Sequence, residues 1–301
     1  MAQDSEKRSI LVTSALPYAN ASLHLGHILE HTQTDIWVRF QKLYGNKCIY
    51  VCADDAHGTP IMLRAEELSM SPEELIEMIY KEHKSTFEDF NISHDNYHST
   101  HSSENQILSE RIYNSLYSKG LIEKKVINQL FDTSRNMFLS DRYVKGSCPN
   151  CGAEDQYGDN CEKCSATYNA IDLKDPISVL TGTEPIIKES EHLFFKLSLL
   201  KDEINEWLDS SKIQEPVRNK LNEWLDADLK DWDISRDGPY FGFKIPGYDD
   251  KYFYVWLDAP IGYLASHLNY LIKQDCEKDF ESFWSKDSVS EVFHFIGKDI
   301  M

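Results

Sequence analysis

The chain has 301 residues, 50 of them acidic and 31 basic, and a formal net charge of −19 at pH 7. This length provides an ample core and accommodates one large domain or two smaller ones. A general nucleic-acid-binding protein would be basic, so any contact with a polynucleotide must be local or lie elsewhere.

The first predicted elements are a strand, a loop and a helix. Residues 10–15 form a short apolar run rich in β-branched side chains, which is typical of a buried parallel strand. Residues 16–23 contain proline and asparagine and predict a loop. From His24 the apolar residues recur at helical spacing, so we expect a helix that runs to about Leu43 and ends at Gly45.

Two histidines flank a glycine at the start of this helix, at His24, Gly26 and His27. A helix N-terminus has free amide donors and a partial positive charge, so it attracts phosphate. Glycine allows a ligand to approach the backbone, and imidazole nitrogens can donate to phosphoryl oxygens. The segment therefore predicts a site for nucleotide phosphate.

A second buried strand is expected at residues 47–52, which completes a right-handed crossover unit of a parallel sheet. Ligands of such sheets bind beyond the carboxyl ends of the strands. Residues 53–60 lie there and contain two adjacent acids, a histidine and a glycine. These side chains could bind an ammonium group, a metal ion or a ribose, or they could cap a turn into the next helix.

Three further elements follow the crossover unit. Ser71 is expected to cap a helix that runs to about Phe90. A strand near residues 96–99 and a helix over residues 103–119 come next, and Gly120 closes that helix. The apolar stripes of these helices indicate packing in a core rather than a functional site.

Four of the seven cysteines form two pairs, Cys148 with Cys151 and Cys161 with Cys164. Each short gap allows a tight turn to present two thiolates, so the four sulfur atoms can complete the tetrahedral shell of one structural zinc ion. Such a shell leaves no open position for catalysis. Because the sequence has no signal-peptide core and no bilayer-spanning apolar stretch, the cysteines favour a metal over disulfides and predict a cytoplasmic protein without membrane contact.

Residues 121–237 are predicted to be an insertion that carries the cysteine segment at residues 148–164. The alternation of strands and helices stops where the insertion begins and resumes after a predicted turn at residues 237–239. We therefore expect residues 1–120 and 238–301 to form the two halves of one fold.

The second half is predicted to contain two apolar strands with a helix between them. The first strand is expected at residues 251–256 and the helix from Leu257, where Pro260 lies near its start. The second strand is expected at residues 290–297. Residues 251–256 would resume the strand pattern that the insertion interrupts.

Taken in order, these motifs resemble those of the methionyl-tRNA synthetases, class I aminoacyl-tRNA ligases, in their bacterial form with one zinc knuckle. The resemblance extends from Ile10 to Ile300. A lone His-x-Gly-His also occurs in other nucleotidyltransferases, whereas the ordered set is specific. Besides the four cysteines, the segments that carry the resemblance are residues 15–18 (ALPY), 24–27 (HLGH), 53–60 (ADDAHGTP), 232–236 (WDISR), 254–263 (YVWLDAPIGY) and 295–299 (FIGKD).

The resemblance implies an α/β catalytic domain with a Rossmann-like parallel sheet, incomplete at its carboxyl end, and an inserted connective domain that contains the zinc knuckle. It implies that methionine reacts with ATP, accompanied by Mg²⁺, to give methionyl-adenylate, and that the aminoacyl group passes to the acceptor end of tRNA(Met). His24 and His27 would stabilise charge on the α-phosphate, and Gly26 would lie at the ATP site. Arg236 and Lys298 would belong to the same catalytic site.

The resemblance also implies a methionine pocket. Asp55 is expected to pair with the substrate ammonium group, together with the carbonyl of Leu16. The Leu16 amide and the Tyr263 hydroxyl are expected to contact the thioether sulfur, which is a weak acceptor. The other residues expected at the pocket are Ala15, Tyr18, Trp256, Ala259, Pro260, Asp299 and Ile300.

The sequence also departs from the family pattern. The Lys-Met-Ser-Lys-Ser signature, whose lysines stabilise pyrophosphate in the transition state, does not occur in the 301 residues. The remaining strands of the sheet and the helical anticodon-binding domain are missing as well, and Lys244 stands where a glutamate is expected in bacterial relatives. We therefore expect an N-terminal fragment that keeps zinc and has weak or no adenylation activity.

Two other functions are compatible with parts of the sequence. A non-catalytic zinc-containing RNA-binding or regulatory module would explain the cysteines, but it would need neither His24, His27 nor Asp55, and the acidic charge counts against it. A small-molecule adenylyltransferase would share the His-x-Gly-His helix, but it would leave residues 256–263 and the zinc knuckle unexplained.

Overall fold

The structure, a computed structural model, describes residues 7–210, 213–227 and 229–297. Strands and helices alternate through the first part of the chain, as the sequence predicts. Its elements are β1 (Ser9–Ser14), α1 (Leu25–Leu43), β2 (Lys47–Asp54), α2 (Thr59–Glu67), α3 (Pro72–Asp89), β3 (Asn96–Ser99) and α4 (Ser103–Ser118).

The next part of the chain consists mainly of antiparallel strands in two small sheets. Its elements are β4 (Ile122–Asp132), β5 (Met137–Phe138), β6 (Val144–Ser147), β7 (Gln156–Tyr157), β8 (Lys174–Ser178), β9 (Ile186–Phe195), α5 (Lys201–Ser210), α6 (Glu215–Asp226), β10 (Trp232–Asp233) and β11 (Ser235–Asp237). One sheet has the strand order β10-β9-β4-β5, and the other has the order β7-β6-β8. The turns around β6 and β7 contain the four paired cysteines.

The last part of the described chain returns to the first sheet. Its elements are β12 (Lys251–Phe253), α7 (Val255–Lys273), α8 (Asp279–Phe283) and β13 (Glu291–Phe295). The long helix α7 packs against β2, β3 and α4, and β13 pairs with β1. The first and last strands of the described chain are therefore neighbours in one sheet, although many strands separate them in sequence.

The central sheet has the strand order β13-β1-β2-β3, and all its pairs are parallel. Both faces of its middle strands are buried. Ile10 and Val12 contribute to the core on one face, and Leu11 and Val51 contribute to the core on the other. This two-sided burial explains the continuous apolar runs of the sequence and confirms the predicted α/β class with a Rossmann-like parallel sheet.

The prediction of a strand at residues 251–256 is wrong in its second half. The strand ends at Phe253, and Trp256 lies in the first turn of α7. The amide of Tyr254 still donates to the carbonyl of Ile234 at 2.9 Å, in the register of the β11–β12 pair. The amide of Val255 instead donates to the hydroxyl of Tyr240 at 3.1 Å, and α7 begins at this residue.

The strand order places a topological switch point at the centre of the sheet. From β1 the chain moves outwards to β2 and β3, and it later returns to the other side of β1 through β13. Loops beyond the carboxyl ends of β1 and its neighbours diverge at such a point and leave a crevice for a ligand. Among the described helices, none combines the length and the apolar character that crossing a membrane requires.

Candidate active site

A cleft of about 1040 Å³ lies beyond the carboxyl ends of β1 and β2. The loops after these strands form one side, and the first turns of α7 form the other. The far end is bounded by residues of the inserted part, among them Asp141 and Arg142. Of the residues predicted from the sequence, those that line this cleft are Leu16, Tyr18, Asp55, Arg236, Trp256, Ala259, Pro260 and Tyr263.

Ala15 does not line the cleft but fixes the loop that does. Its amide donates to the carbonyl of Phe295 at 3.0 Å and to Oε1 of Glu30 at 2.8 Å. Its carbonyl lies 3.2 Å from Nε2 of His31. Burial lowers the pKa of His31 to about 3, so the ring is neutral at pH 7 and can donate through this nitrogen. Ala15 therefore supports the cleft through its backbone.

Asp55 directly follows β2, and the loop after β1 fixes its backbone. Its amide donates to the carbonyl of Pro17 at 2.8 Å, and its carbonyl accepts from the amide of Ala19 at 2.8 Å. Its side-chain Oδ1 is buried and has no hydrogen-bond partner in the described part of the chain. Burial raises the pKa of Asp55 well above its usual range, and the charge of Asp258 raises it further. A cationic ligand would favour the ionised form of this carboxyl group and would give Oδ1 a partner.

The opposite side of the cleft is a wall of apolar and aromatic side chains on α7. Trp256 is 49% exposed, so its ring faces open space in the cleft. Tyr263 lies two turns further along, and burial raises the pKa of its hydroxyl, which remains a neutral donor. Gly262 allows α7 to pack closely against Thr100, because a Cβ at this position would lie 2.7 Å from Cγ2 of Thr100. A carboxylate thus faces a long apolar surface.

His24 and His27 lie outside the residues that line the cleft, at the start of α1. His24 caps the helix: its Nδ1 accepts from the amide of Gly26 at 3.0 Å, and Nδ1 of His27 accepts from the amide of His24 at 3.3 Å. Burial, and then the neighbouring His24, lower the pKa of His27 to about 4. Because each Nδ1 accepts, each ring has its N–H group at Nε2, so two N–H donors stand at a helix N-terminus.

The packing of the His24 ring requires glycine at position 26, in addition to any need for ligand access. A Cβ at this position would lie 2.9 Å from Cε1 of His24, because the His24 ring folds back over the first turn. The two imidazole rings stack at 3.7 Å between centroids with 18° between planes. Glycine is therefore required for the stacked arrangement of His24 and His27, whatever ligand binds there.

Arg236 approaches the cleft from β11, on the side of the inserted strands. Its guanidinium lies 3.6 Å from the ring centroid of Tyr254, and Nη1 lies 3.3 Å from Oδ2 of Asp233. His192 stands behind this arrangement between Asp233, at 2.7 Å, and Asp237, at 3.0 Å. Burial alone would lower the pKa of His192, but the hydrogen bonds to both carboxylates raise it. This network fixes a cation at the rim of the cleft.

Three of the predicted site residues, Lys298, Asp299 and Ile300, lie outside the described residues. Several other residues line the cleft although the sequence did not predict them. Most of these lie at chain positions outside the motifs. The unpredicted residues that line the cleft include Tyr240, His192, Asp233, Asp237, Trp284, His294 and Ile296. Asp233, inside the Trp-Asp-Ile-Ser-Arg segment, and Ile296, inside residues 295–299, are the two that a sequence motif could have identified.

The four paired cysteines meet in the geometry of a zinc knuckle. Their sulfur atoms all lie within 4.8 Å of one another. Sγ of Cys148 lies 3.8 Å from Sγ of Cys164, and Sγ of Cys151 lies 3.6 Å from Sγ of Cys161. In a tetrahedron with Zn–S bonds of about 2.3 Å, sulfur atoms are about 3.8 Å apart. The residues therefore fit a zinc ion with four thiolate ligands.

Comparison with known proteins extends these observations. The family described as tRNA synthetases class I (M) matches residues 10–301. A crystal structure of Mycobacterium tuberculosis methionyl-tRNA synthetase bound by methionyl-adenylate is 24% identical, with a TM-score of 0.71, and the match covers 97% of this chain and 52% of that one. A second structure of the Mycobacterium tuberculosis enzyme, in complex with methionyl-adenylate, is 23% identical, with a TM-score of 0.69 and the same coverage. At these identities the likeness establishes the fold, and this chain spans about half the length of each structure.

Proposed function

The chain belongs to the class I tRNA synthetases, and from this membership we propose that it contains the methionine-activating site of a methionine–tRNA ligase. The reaction joins the carboxylate of methionine to the α-phosphate of ATP, which gives methionyl-adenylate and pyrophosphate. The aminoacyl group then passes to the 3′-terminal adenosine of tRNA(Met). Residues 121–237 would be the inserted connective domain, between the two halves of the catalytic fold at residues 1–120 and 238–301.

The observation that carries this proposal is the buried Oδ1 of Asp55, which has no partner among the residues that the structure describes and shares its cleft with an apolar wall. An amino acid with an ammonium group and a long unbranched side chain matches both surfaces. Trp256, Ala259 and Pro260 would contact the methylene groups, and Tyr263 would donate to the sulfur. An apolar pocket separates neighbouring side chains by only about 1–3 kcal/mol per methylene, so the contact with sulfur would add discrimination.

The two imidazoles at the start of α1 are suited to phosphate chemistry. In the proposed reaction, negative charge develops on the α-phosphate as the methionine carboxylate attacks and pyrophosphate leaves. The Nε2–H groups of His24 and His27 would donate to these oxygens, next to free amides of the helix. Arg236, at the cleft rim, would neutralise charge on the phosphates. Mg²⁺ would accompany ATP as part of the substrate.

The cysteine site would hold a zinc ion that stabilises the inserted domain. Its four thiolates occupy the whole tetrahedral shell, so the ion would supply folding energy rather than catalysis. Folding of the knuckle would place the adjoining residues Asp141 and Arg142 at the far end of the cleft, where the acceptor end of tRNA would enter.

Calorimetry with the 301-residue chain tests the proposed substrate. We expect binding of methionine, no measurable binding of leucine, and much tighter binding of a sulfamoyl analogue of methionyl-adenylate, because the analogue also engages the phosphate and adenosine subsites. Equal heats with leucine and methionine would refute the assignment. Binding of RNA without any methionine binding would instead favour a zinc-containing RNA-binding module.

Replacing Gly26 by alanine separates the two halves of the proposed site. The added Cβ displaces the His24 ring, so we expect binding of the sulfamoyl analogue to weaken about tenfold, as the loss of one charge-assisted hydrogen bond predicts. Loss of the helix cap should destabilise the fold by about 1 kcal/mol. Calorimetry and urea denaturation measure the two effects. Methionine affinity is the internal control, and a loss of methionine binding equal to that of the analogue would contradict the assignment of Gly26 to the ATP side.

A further inference from the structure

His57 and Asp258 form a fully buried pair directly behind the cleft. Both side chains have 0% exposure, and Nδ1 of His57 is hydrogen-bonded to Oδ2 of Asp258. His57 follows Asp55 by two residues, whereas Asp258 lies on α7 between Trp256 and Ala259. Neither member of the pair lines the cleft itself. The pair therefore links the loop that carries the proposed ammonium-binding carboxylate to the helix that forms the opposite wall.

The surrounding hydrogen bonds fix this pair from several directions. Nε2 of His57 lies 2.9 Å from Nδ1 of His101, in the loop after β3. The carbonyl of His57 accepts from the hydroxyl of Tyr18, in the loop after β1, at 2.9 Å. The carbonyl of Asp258 accepts from Nδ2 of Asn105 at 3.2 Å. Three loops of the sheet and α7 thus converge on one hydrogen-bonded pair, which leaves the two side chains little freedom to move.

Three carboxylate oxygens in this region are buried without a hydrogen-bond partner among the described residues: Oδ2 of Asp54, Oδ1 of Asp55 and Oδ1 of Asp258. Two like charges in one poorly solvated region oppose each other's ionisation. Burial raises the pKa of Asp258, and its hydrogen bond to His57 acts in the opposite direction. Asp55 lines the cleft and Asp258 does not, so Asp55 is the carboxyl group of this pair that an incoming ligand can reach.

Asp54 also raises the pKa of Asp55, but less than Asp258 does. Its Oδ1 has two partners, Nδ1 of His83 at 2.8 Å and the hydroxyl of Tyr97, whereas its Oδ2 has none among the described residues. The remaining neighbours are phenols, which are neutral at pH 7, and the histidines already named. The groups that face Asp55 from the elements packed against it are Asp54, His57, His101, Tyr18, Tyr240, Asp258 and Tyr263.

We propose that Asp258, held in place by His57, is a positioning residue whose charge controls when Asp55 ionises and therefore when the cleft binds an ammonium group. The inference rests on the proposed function, because it takes the ammonium group of methionine as the ligand of Asp55. Burial and the charge of Asp258 both raise the pKa of Asp55, in agreement with this arrangement. Methionine then binds with release of a proton wherever Asp55 is protonated in the free protein.

The variant Asp258→Asn tests the inference, because asparagine keeps the size of the side chain and can still bond to His57, but has no charge. We measure methionine affinity by calorimetry between pH 4 and pH 8. Removing a like charge favours ionised Asp55, so the midpoint of the rise in affinity should move down by about one pH unit. A purely structural role would weaken binding at every pH and leave the midpoint in place, which would overturn the inference.

A second readout follows Asp55 directly and needs no ligand. Carboxyl ¹³C NMR, with the Asp55 signal assigned from Asp55→Asn, gives the titration midpoint in the wild type and in Asp258→Asn. We expect a midpoint well above the ordinary value of about 4 in the wild type and a lower one in the variant. If Asp258→Asn does not fold, Asp258→Ser, which also removes the charge and adds no bulk, is measured in its place. A wild-type midpoint near 4 overturns the inference in either case.

The control variant is Asp35→Asn. Asp35 is also buried, but its partners are the side chain of Arg39 and the amide of Ser93, away from the cleft. The midpoint of the rise in methionine affinity and the titration midpoint of Asp55 should both stay at their wild-type values in this variant. If wild-type protein binds no methionine, the proposed function fails and the inference fails with it. If methionine binds but neither midpoint moves in Asp258→Asn, the inference alone is overturned.

Discussion

The variant Asp55→Asn is expected to weaken methionine binding by about 30-fold or more. The carboxylate is the charged partner that the structure offers to an ammonium group, and its Oδ1 is buried without another partner in the described part of the chain. Removing one member of a buried hydrogen-bonded charge pair costs about 2–5 kcal/mol, and each 1.4 kcal/mol is a factor of ten in affinity. Calorimetry of methionine binding at pH 8 measures the loss, and circular dichroism verifies the fold.

Methionine affinity is expected to depend on pH in a definite direction. In the free protein, burial raises the pKa of Asp55, so the group is protonated over a wider range than an exposed aspartate. A protonated carboxyl group cannot pair with ammonium, so wild-type affinity should rise with pH through the raised pKa and then level off. Asp55→Asn should abolish this slope. The matched control is Asp141→Asn, which removes another acidic group that lines the cleft. An equal loss in both variants would show that the overall charge, rather than Asp55, attracts the ligand.

The variant Cys161→Ser is expected to lose the zinc ion and to unfold the knuckle around residues 148–168. Few apolar contacts hold this segment: its cluster consists of Cys148, Ala153 and Cys161, with Tyr168 packed against them. Structural zinc sites contribute about 10–16 kcal/mol of apparent binding energy, far more than such a cluster can supply. Serine is a poor ligand for zinc, so one substitution should reduce the bound metal from one equivalent to near zero.

Metal analysis and hydrogen exchange measure this effect. The knuckle amides, such as that of Cys148, which donates to Ala153 at 2.8 Å, should lose protection, whereas β1 and β2 should keep theirs because the central sheet has a separate core. Cys276→Ser is the control, since Cys276 lies after α7, away from the paired sulfur atoms. Full zinc content in Cys161→Ser, or its loss in Cys276→Ser, would contradict the assignment of the ligands.

The elements that the sequence predicts best are those set by local patterns. The apolar run of β1 and the helix opened by His24 depend on residues within a few positions of one another, and both occur where periodicity and capping place them. The paired cysteines are equally local, because a two-residue gap is enough to bring two sulfur atoms to one ion. The fold class follows from the same patterns, since buried parallel strands require apolar residues on both faces.

Positions that depend on distant partners could be known only from the tertiary structure. β12 ends at Phe253 because α7 begins at Val255, whose amide bonds to the hydroxyl of the remote Tyr240, and the sequence of the strand itself contains no such signal. Ala15 supports the cleft through Glu30 and Phe295 rather than forming its wall. The pairing of His57 with Asp258 joins positions 201 residues apart.

The two kinds of result have one physical cause. Hydrogen-bonded periodicity, caps and short metal-ligand turns act between near neighbours in the chain, so composition and spacing determine them. Burial, and with it the charge state of a group such as Asp55, depends on which remote segments pack around it. The sequence therefore determined the central strands, the histidines at the helix start and the paired cysteines. Only the folded structure decided which of these residues share a cleft and which carboxyl oxygen at the cleft has no hydrogen-bond partner in the described part of the chain.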